Sequence, residues 1–233
     1  MTGQKNPRSK NQDPNKIQKL NQKEAIEFFV WNLFGSCYLP FGSFTPNFVY
    51  MSAGTTHKMY YVAIVCPREI NEKVQKFKQW MKDRFGCVVA MKSPAHITLI
   101  PPFWFMLERE HELVNTVQSF VNIFSQKIEL DGFSHFRKKV LFVRIMENAS
   151  LDELKSEVEQ YFTGKIGAIF KKDDRPFHPH ITIANRDMKP SHFEDAWEHF
   201  SEHIFKESFN ADSISLLKLN PGGWAVIAES ISS

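Results

Sequence analysis

Pro176-Phe177-His178-Pro179-His180-Ile181-Thr182-Ile183-Ala184 carries at its centre a phrase that already occurs in Ala95-His96-Ile97-Thr98-Leu99-Ile100-Pro101-Pro102-Phe103. Both copies set an imidazole two residues before a threonine, inside a short run of β-branched and apolar residues that reads as a strand. Side chains alternate faces along a strand, so positions i and i+2 point the same way, roughly 6.5 Å apart. His96 with Thr98, and His180 with Thr182, therefore form two matching pairs, each aimed off one face. Ile97 and Ile181 turn to the opposite face as anchors in a core.

Outward from the two copies the pattern is regular. Residues 59–66 read as a strand, and Pro67 opens a helix to about Phe85, with Ile70, Val74, Phe77, Trp80 and Met81 at helical spacing and Gly86 as its stop. Residues 87–91 read as a short strand or the approach to one, and the first motif strand, 95–100, is expected to end at Pro101-Pro102, where the ladder loses its donors. A second helix is expected over 107–124, then strands over 126–135 and 139–146. A third helix is expected over 151–162, where Ser150 and Glu153 form a capping box. The second motif strand spans about 178–185. Ser191 and Glu194 offer a second capping box for a helix running to about Ile204. Two final strands, 208–219 and 224–231, flank the turn signal Asn220-Pro221-Gly222-Gly223.

Strand and helix thus alternate roughly twice, with one motif copy per half. Adjacent strands without an intervening helix call for antiparallel pairing. The expected fold is α+β: two lobes related by a pseudo-twofold, each a mostly antiparallel sheet backed by helices, with a central cleft. Residues 1–58 form an extension ahead of a domain spanning 59–233. Its first 24 residues are polar and basic, a composition that predicts disorder. Residues 25–50 turn abruptly apolar, but Glu27, Asn32 and Gly35 interrupt them well short of the ~20 residues a spanning helix needs. No membrane association is expected.

The formal charge of +3 argues against a grip on long nucleic acid through many phosphates, yet it permits a site for one terminal or cyclic phosphate. Cys37, Cys66 and Cys87 are widely spaced and odd in number, which speaks against a disulfide framework or structural zinc and for a reducing, cytoplasmic setting. His178 and His180 share a strand face, but no third ligand stands at a matching offset, so neither a metal nor another cofactor is expected.

Two imidazoles on opposite sides of one phosphorus suit in-line displacement at a phosphodiester. One takes a proton from the attacking oxygen and the other gives one to the leaving oxygen, near the ordinary imidazole pKa of about 6.5. Threonine hydroxyls beside them can donate to non-bridging oxygens as charge builds there. Such a site suits RNA-type phosphodiesters and 2′,3′-cyclic phosphates. A single His-x-Thr more often marks a half-buried strand histidine bonded to a backbone carbonyl; two copies 84 residues apart (180 − 96) point to chemistry. Phe103 and Trp104, and Phe177, are candidates to stack on a base or line the cleft. The Lys171-Lys172 pair with Arg175 can draw a polyanion toward it.

The duplicated His-Ile-Thr, with Pro-Pro-Phe after the first copy and Pro-Phe-His-Pro before the second, resembles the 2H phosphoesterase superfamily, specifically its 2′-5′ RNA ligase-like branch. The resemblance covers about residues 59–231. It implies a bilobal fold and metal-independent hydrolysis of 2′,3′-cyclic or 2′-5′ phosphodiesters, sometimes reversible as ligation. RNA ends or small cyclic nucleotides are the implied substrates, and a monomer is expected. It places His96 and His180 as the proton-transfer pair and Thr98 and Thr182 as phosphate holders. Many relatives carry an arginine five residues after the second histidine; here that position is Asn185, and Arg186 follows it. On a regular strand Arg186 would share the face of His180 and Thr182. The competing function is a non-catalytic RNA- or nucleotide-binding module with the same cleft.

Overall fold

Two four-stranded antiparallel sheets, one per motif copy, make up the computed structural model, which describes residues 56–121, 126–170 and 176–230. In chain order the elements are β1 (His57–Val65), α1 (Arg68–Phe85), β2 (His96–Met106), α2 (Glu110–Gln118), β3 (Gln126–Phe136) and β4 (Val140–Ile145). They continue with α3 (Ala149–Ile166), β5 (His180–Ala184), α4 (Phe193–Ser201), β6 (Lys206–Ala211), β7 (Ser215–Asn220) and β8 (Gly223–Glu229). The first sheet runs β2-β1-β7-β8 and the second β5-β4-β3-β6. The expected extension, 1–58, lies almost wholly outside the described residues, as does the basic cluster 171–175. β1 begins two residues ahead of the expected boundary.

Both motif strands lie at the edge of their sheet, and the chain reaches each by the same path: β1–α1–β2 in one lobe, β4–α3–β5 in the other. This repeat is the pseudo-twofold, and the fold is α+β and bilobal. The helices also cross over, α1 packing on β5 and α3 on β2. Each motif strand is therefore held from behind by the other lobe, and one hydrophobic cluster runs through both sheets, with Ile97 and Ile181 fully buried in it.

α1 forms where its apolar spacing predicts. Ile70, Val74 and Met81 are buried, and Gly86 closes the helix in the left-handed region at φ 72°, its N–H donating to the Lys82 carbonyl at 2.8 Å. One residue breaks the stripe: Lys78 is 1 % exposed, as deep as the apolar residues around it.

Several boundaries differ from those predicted. β2 runs on through Pro101 and Pro102 to Met106, because the prolines fall in a register shift where pairing jumps from Val62–Ile100 to Tyr60–Phe103. An edge strand tolerates the missing donors there. Residues 87–91 are not a strand. The Val88 and Val89 N–H groups donate to Asp187 Oδ2 at 2.5 and 2.8 Å instead of to a ladder, and Ala90–Lys92 make a 3₁₀ turn. α2 is shorter than expected, and residues 122–125 lie outside the described residues. α3 is capped by Asn148, whose side chain accepts from the Leu151 N–H at 3.2 Å, not by Ser150. The run expected as one strand over 208–219 splits at Asp212-Ser213, so that β6 pairs with β3 and β7 with β1.

The β7–β8 turn falls where Asn220-Pro221-Gly222-Gly223 predicts. Gly223 has φ 136°, and a Cβ there would sit 2.4 Å from the Lys92 carbonyl oxygen, in the loop that leads to His96. Gly223→Ala is expected to cost roughly 1–3 kcal/mol, read as a lowered unfolding midpoint. Gly222→Ala, with open space around it, should change stability by about 0.5 kcal/mol or less. Equal effects at the two glycines would contradict the close approach.

Candidate functional site

The two motif strands carry the same burial pattern. His96, Thr98, His180 and Thr182 are half-buried, while the residues between and after them are buried. His96 stands opposite Val65 and Thr98 opposite Ala63 across β1; His180 stands opposite Arg144 and Thr182 opposite Phe142 across β4. β2 and β5 pack against each other, and the charge of His180 acts on the His96 ring. The fold thus brings together the two strands that carry the duplicated motif, with His96 and His180 within electrostatic reach of each other.

Both rings are fixed by one device. His96 Nδ1 lies 2.8 Å from the Pro94 carbonyl oxygen, and His180 Nδ1 lies 2.8 Å from that of His178. A carbonyl only accepts, so each Nδ1 carries the proton. In the neutral ring Nε2 is then a bare acceptor, with no partner among the described residues. The carbonyl bond that marks an ordinary strand histidine is present in both copies, but here it orients a ring whose other nitrogen is left unused.

Each ring also rests on aromatic surface. Tyr61 lies 4.9 Å from the His96 ring, centroid to centroid, and Trp224 backs Tyr61 edge-on at 4.5 Å. Phe136 and Phe142 lie 5.0 and 5.1 Å from the His180 ring. Apolar packing disfavours the imidazolium. Burial, opposed by the Pro94 bond and assisted by the charges of Lys78 and His180, pushes His96 down to about 4. His180 is also held below its ordinary value, chiefly by burial, with the His178 bond opposing and the His178 charge assisting.

The loop ahead of His96 is tied down residue by residue. Lys78 Nζ donates to the Ser93 carbonyl at 2.9 Å, and the Ala95 N–H donates to Asn71 Oδ1 at 2.7 Å. The Cys66 N–H donates to the Ala95 carbonyl at 2.9 Å. Beside this loop lies an open groove of about 370 Å³ whose lining includes Gln75, Lys92, Ser93, Pro94, Asn220 and Trp224.

The remaining candidates from sequence are placed differently. Phe103 is 4 % exposed in the core beside Tyr60 and Phe170, leaving no surface for a base to stack on; its neighbour Trp104 is the open one, at 43 %. Phe177 packs on the core with Lys155 Nζ 5.6 Å from its ring centre. Arg186 is not on the strand. β5 ends at Ala184, and the chain turns, with the Met188 N–H donating to the Asn185 carbonyl at 2.7 Å. Arg186 Nε is buried without a hydrogen-bond partner among the described residues. The guanidinium that shares the His180 face is that of Arg144, which holds Asp131 at 2.8 Å. Among the described residues no three His, Cys, Asp or Glu side chains are grouped to hold a metal ion, and no helix is long and apolar enough to cross a membrane.

Lys78 and Asn71 escape motif reading because they act through backbone atoms. Lys78 nevertheless leaves a trace, a charge in register with Ile70, Val74 and Met81 on the buried stripe of α1.

Comparison with known proteins agrees with this architecture. The sequence profile described as the 2′-5′ RNA ligase superfamily matches residues 66–223. TT0787 of Thermus thermophilus is similar at 16 % identity and a TM-score of 0.53, covering 73 % of this chain and 96 % of its own. E. coli LigT complexed with 3′-AMP is similar at 17 % identity and 0.54, covering 75 % and 97 %. E. coli LigT complexed with ATP reaches 18 % and 0.50, again covering 75 % and 97 %. No curated protein matches the sequence.

Proposed function

Because this chain belongs to the 2′-5′ RNA ligase superfamily, we propose that it is a metal-independent phosphoesterase of 2′,3′-cyclic or 2′-5′ phosphodiesters, borne by RNA ends or small nucleotides. The observation that carries this reading is the pair of equivalent Nδ1–carbonyl bonds, which leave two Nε2 atoms free on packed edge strands. In hydrolysis of a cyclic phosphate, His96 Nε2 takes a proton from water as the water oxygen bonds to phosphorus. The bond from phosphorus to one ribose oxygen breaks, and that oxygen receives a proton from His180. Thr98 and Thr182 donate to the non-bridging oxygens. Ligation runs the same transfers backwards.

The complexes of E. coli LigT with 3′-AMP and with ATP support a nucleotide as substrate. The groove beside the Ser93-Pro94 loop offers Trp224 to a base carried on that phosphate. His96 is assigned as proton acceptor because the Lys78 charge adds to burial in holding its ring in the neutral form.

Turnover of 2′,3′-cyclic nucleotides in excess chelator tests the reading. Product formation that survives chelation supports it, and saturable binding without product overturns it in favour of a binding module. The pH dependence is a sharper test. The acceptor must be neutral, above about 4 for His96, and the donor must be charged, below a His180 pKa that itself lies under 6.5. kcat/KM should therefore trace a bell that peaks on the acid side of 6.5. A profile that climbs steadily to about pH 10 would contradict two imidazoles in these roles.

A further inference from the structure

A lysine buried without a carboxylate partner is costly, because desolvation penalises its ammonium. Lys78 is such a residue: 1 % exposed, with no ion pair among the described residues, its one hydrogen bond going to the Ser93 carbonyl. An aliphatic side chain would continue the stripe of Ile70, Val74 and Met81 at less cost. What lies beyond Lys78 is the His96 loop, in which Ser93 leads to Pro94, whose carbonyl holds the His96 ring.

We infer that Lys78 is a positioning residue of the His96 site: its ammonium pins the loop through Ser93, next to the Pro94 carbonyl that orients the His96 ring, and sets a positive charge behind that ring. The inference rests on the reading of His96 as acceptor. Three groups act on the His96 ring from the elements around it: the charges of Lys78 on α1 and His180 on β5, and the Tyr61 ring of β1, which packs against it. Burial holds Tyr61 in its neutral form, so the two basic groups are the ones that repel an imidazolium. The Cys66 thiol near Lys78 is pushed up to about 12 by burial and stays neutral too. Lys78 itself is pushed down to about 8, chiefly by burial, so it remains charged where His96 is proposed to act.

The test is an NMR titration of the His96 ring in the full chain, which needs no turnover and so fails or succeeds apart from the proposed activity. Lys78→Met removes the charge and the Ser93 bond. Asn71→Ala releases the same loop at Ala95 and leaves the charge in place. In Lys78→Met the His96 midpoint is expected to rise by about one pH unit, since removing a like charge favours the imidazolium. The acid limb of the kcat/KM profile should rise with it. In Asn71→Ala the midpoint should stay within about 0.3 unit, even if turnover falls. Equal shifts in the two variants, or none in either, overturn the inference. Should Lys78→Met not fold, the wild-type His96 resonance followed from about pH 7 to 10 decides. It should show a second inflection as Lys78 loses its proton, and a flat trace overturns the inference.

Discussion

Replacing either His96 or His180 by alanine is expected to lower kcat on a 2′,3′-cyclic nucleotide by roughly 10²–10⁴-fold, the usual contribution of a positioned proton donor or acceptor. The double variant should be scarcely worse than the worse single, because both imidazoles serve one displacement and removing one already breaks the relay. KM should move much less, since Thr98 and Thr182 remain to hold the phosphate. Neither ring is in the sealed core, so each variant should remain folded. Single-turnover and steady-state rates beside circular-dichroism melts give all of these numbers. Either single variant with near-wild-type kcat and an unchanged fold would remove its histidine from the chemistry.

The largest stability losses are expected from the residues between those side chains. Ile97 and Ile181 are fully buried in the cluster that joins the two sheets. Truncation to alanine removes three carbons from each and leaves a space that neighbours fill only in part. Losses of roughly 2–5 kcal/mol follow from comparable core truncations. Against a typical total of about 5–15 kcal/mol, either change approaches the limit of a folded domain. Denaturant midpoints at constant m-value measure this, and a loss below about 1 kcal/mol would show that the motif strands are not anchored through these residues. Because the same strand carries His96 or His180 on its other face, partial loosening should also lower kcat before the fold is lost.

The two effects are separable because a β-strand assigns neighbouring residues to opposite faces. Alternation within His-Ile-Thr-Ile and His-Ile-Thr-Leu was enough to say which residues belong to a cleft and which to a core, and the burial of both strands follows it residue by residue. The helical spacing of Ile70, Val74 and Met81, the stop at Gly86 and the Asn-Pro-Gly-Gly turn were legible for the same reason: each depends on residues close in sequence. Phe103 shows where local reading ends. Its place after the first motif suggested a base platform, but the register shift at the two prolines sets it opposite Tyr60 on the core face.

Alone, then, the sequence determined two strands, each offering an imidazole and a hydroxyl on one side and an isoleucine on the other, together with the helices that precede them. Tertiary structure decided the rest. It laid α1 behind β5 and α3 behind β2, broke 208–219 between two sheets, and drew the Val88 and Val89 amides to Asp187. It also buried the Lys78 ammonium behind the loop that holds His96. The physical reason is distance along the chain: which donor meets which acceptor across about a hundred residues depends on how the lobes close, and no local period encodes that.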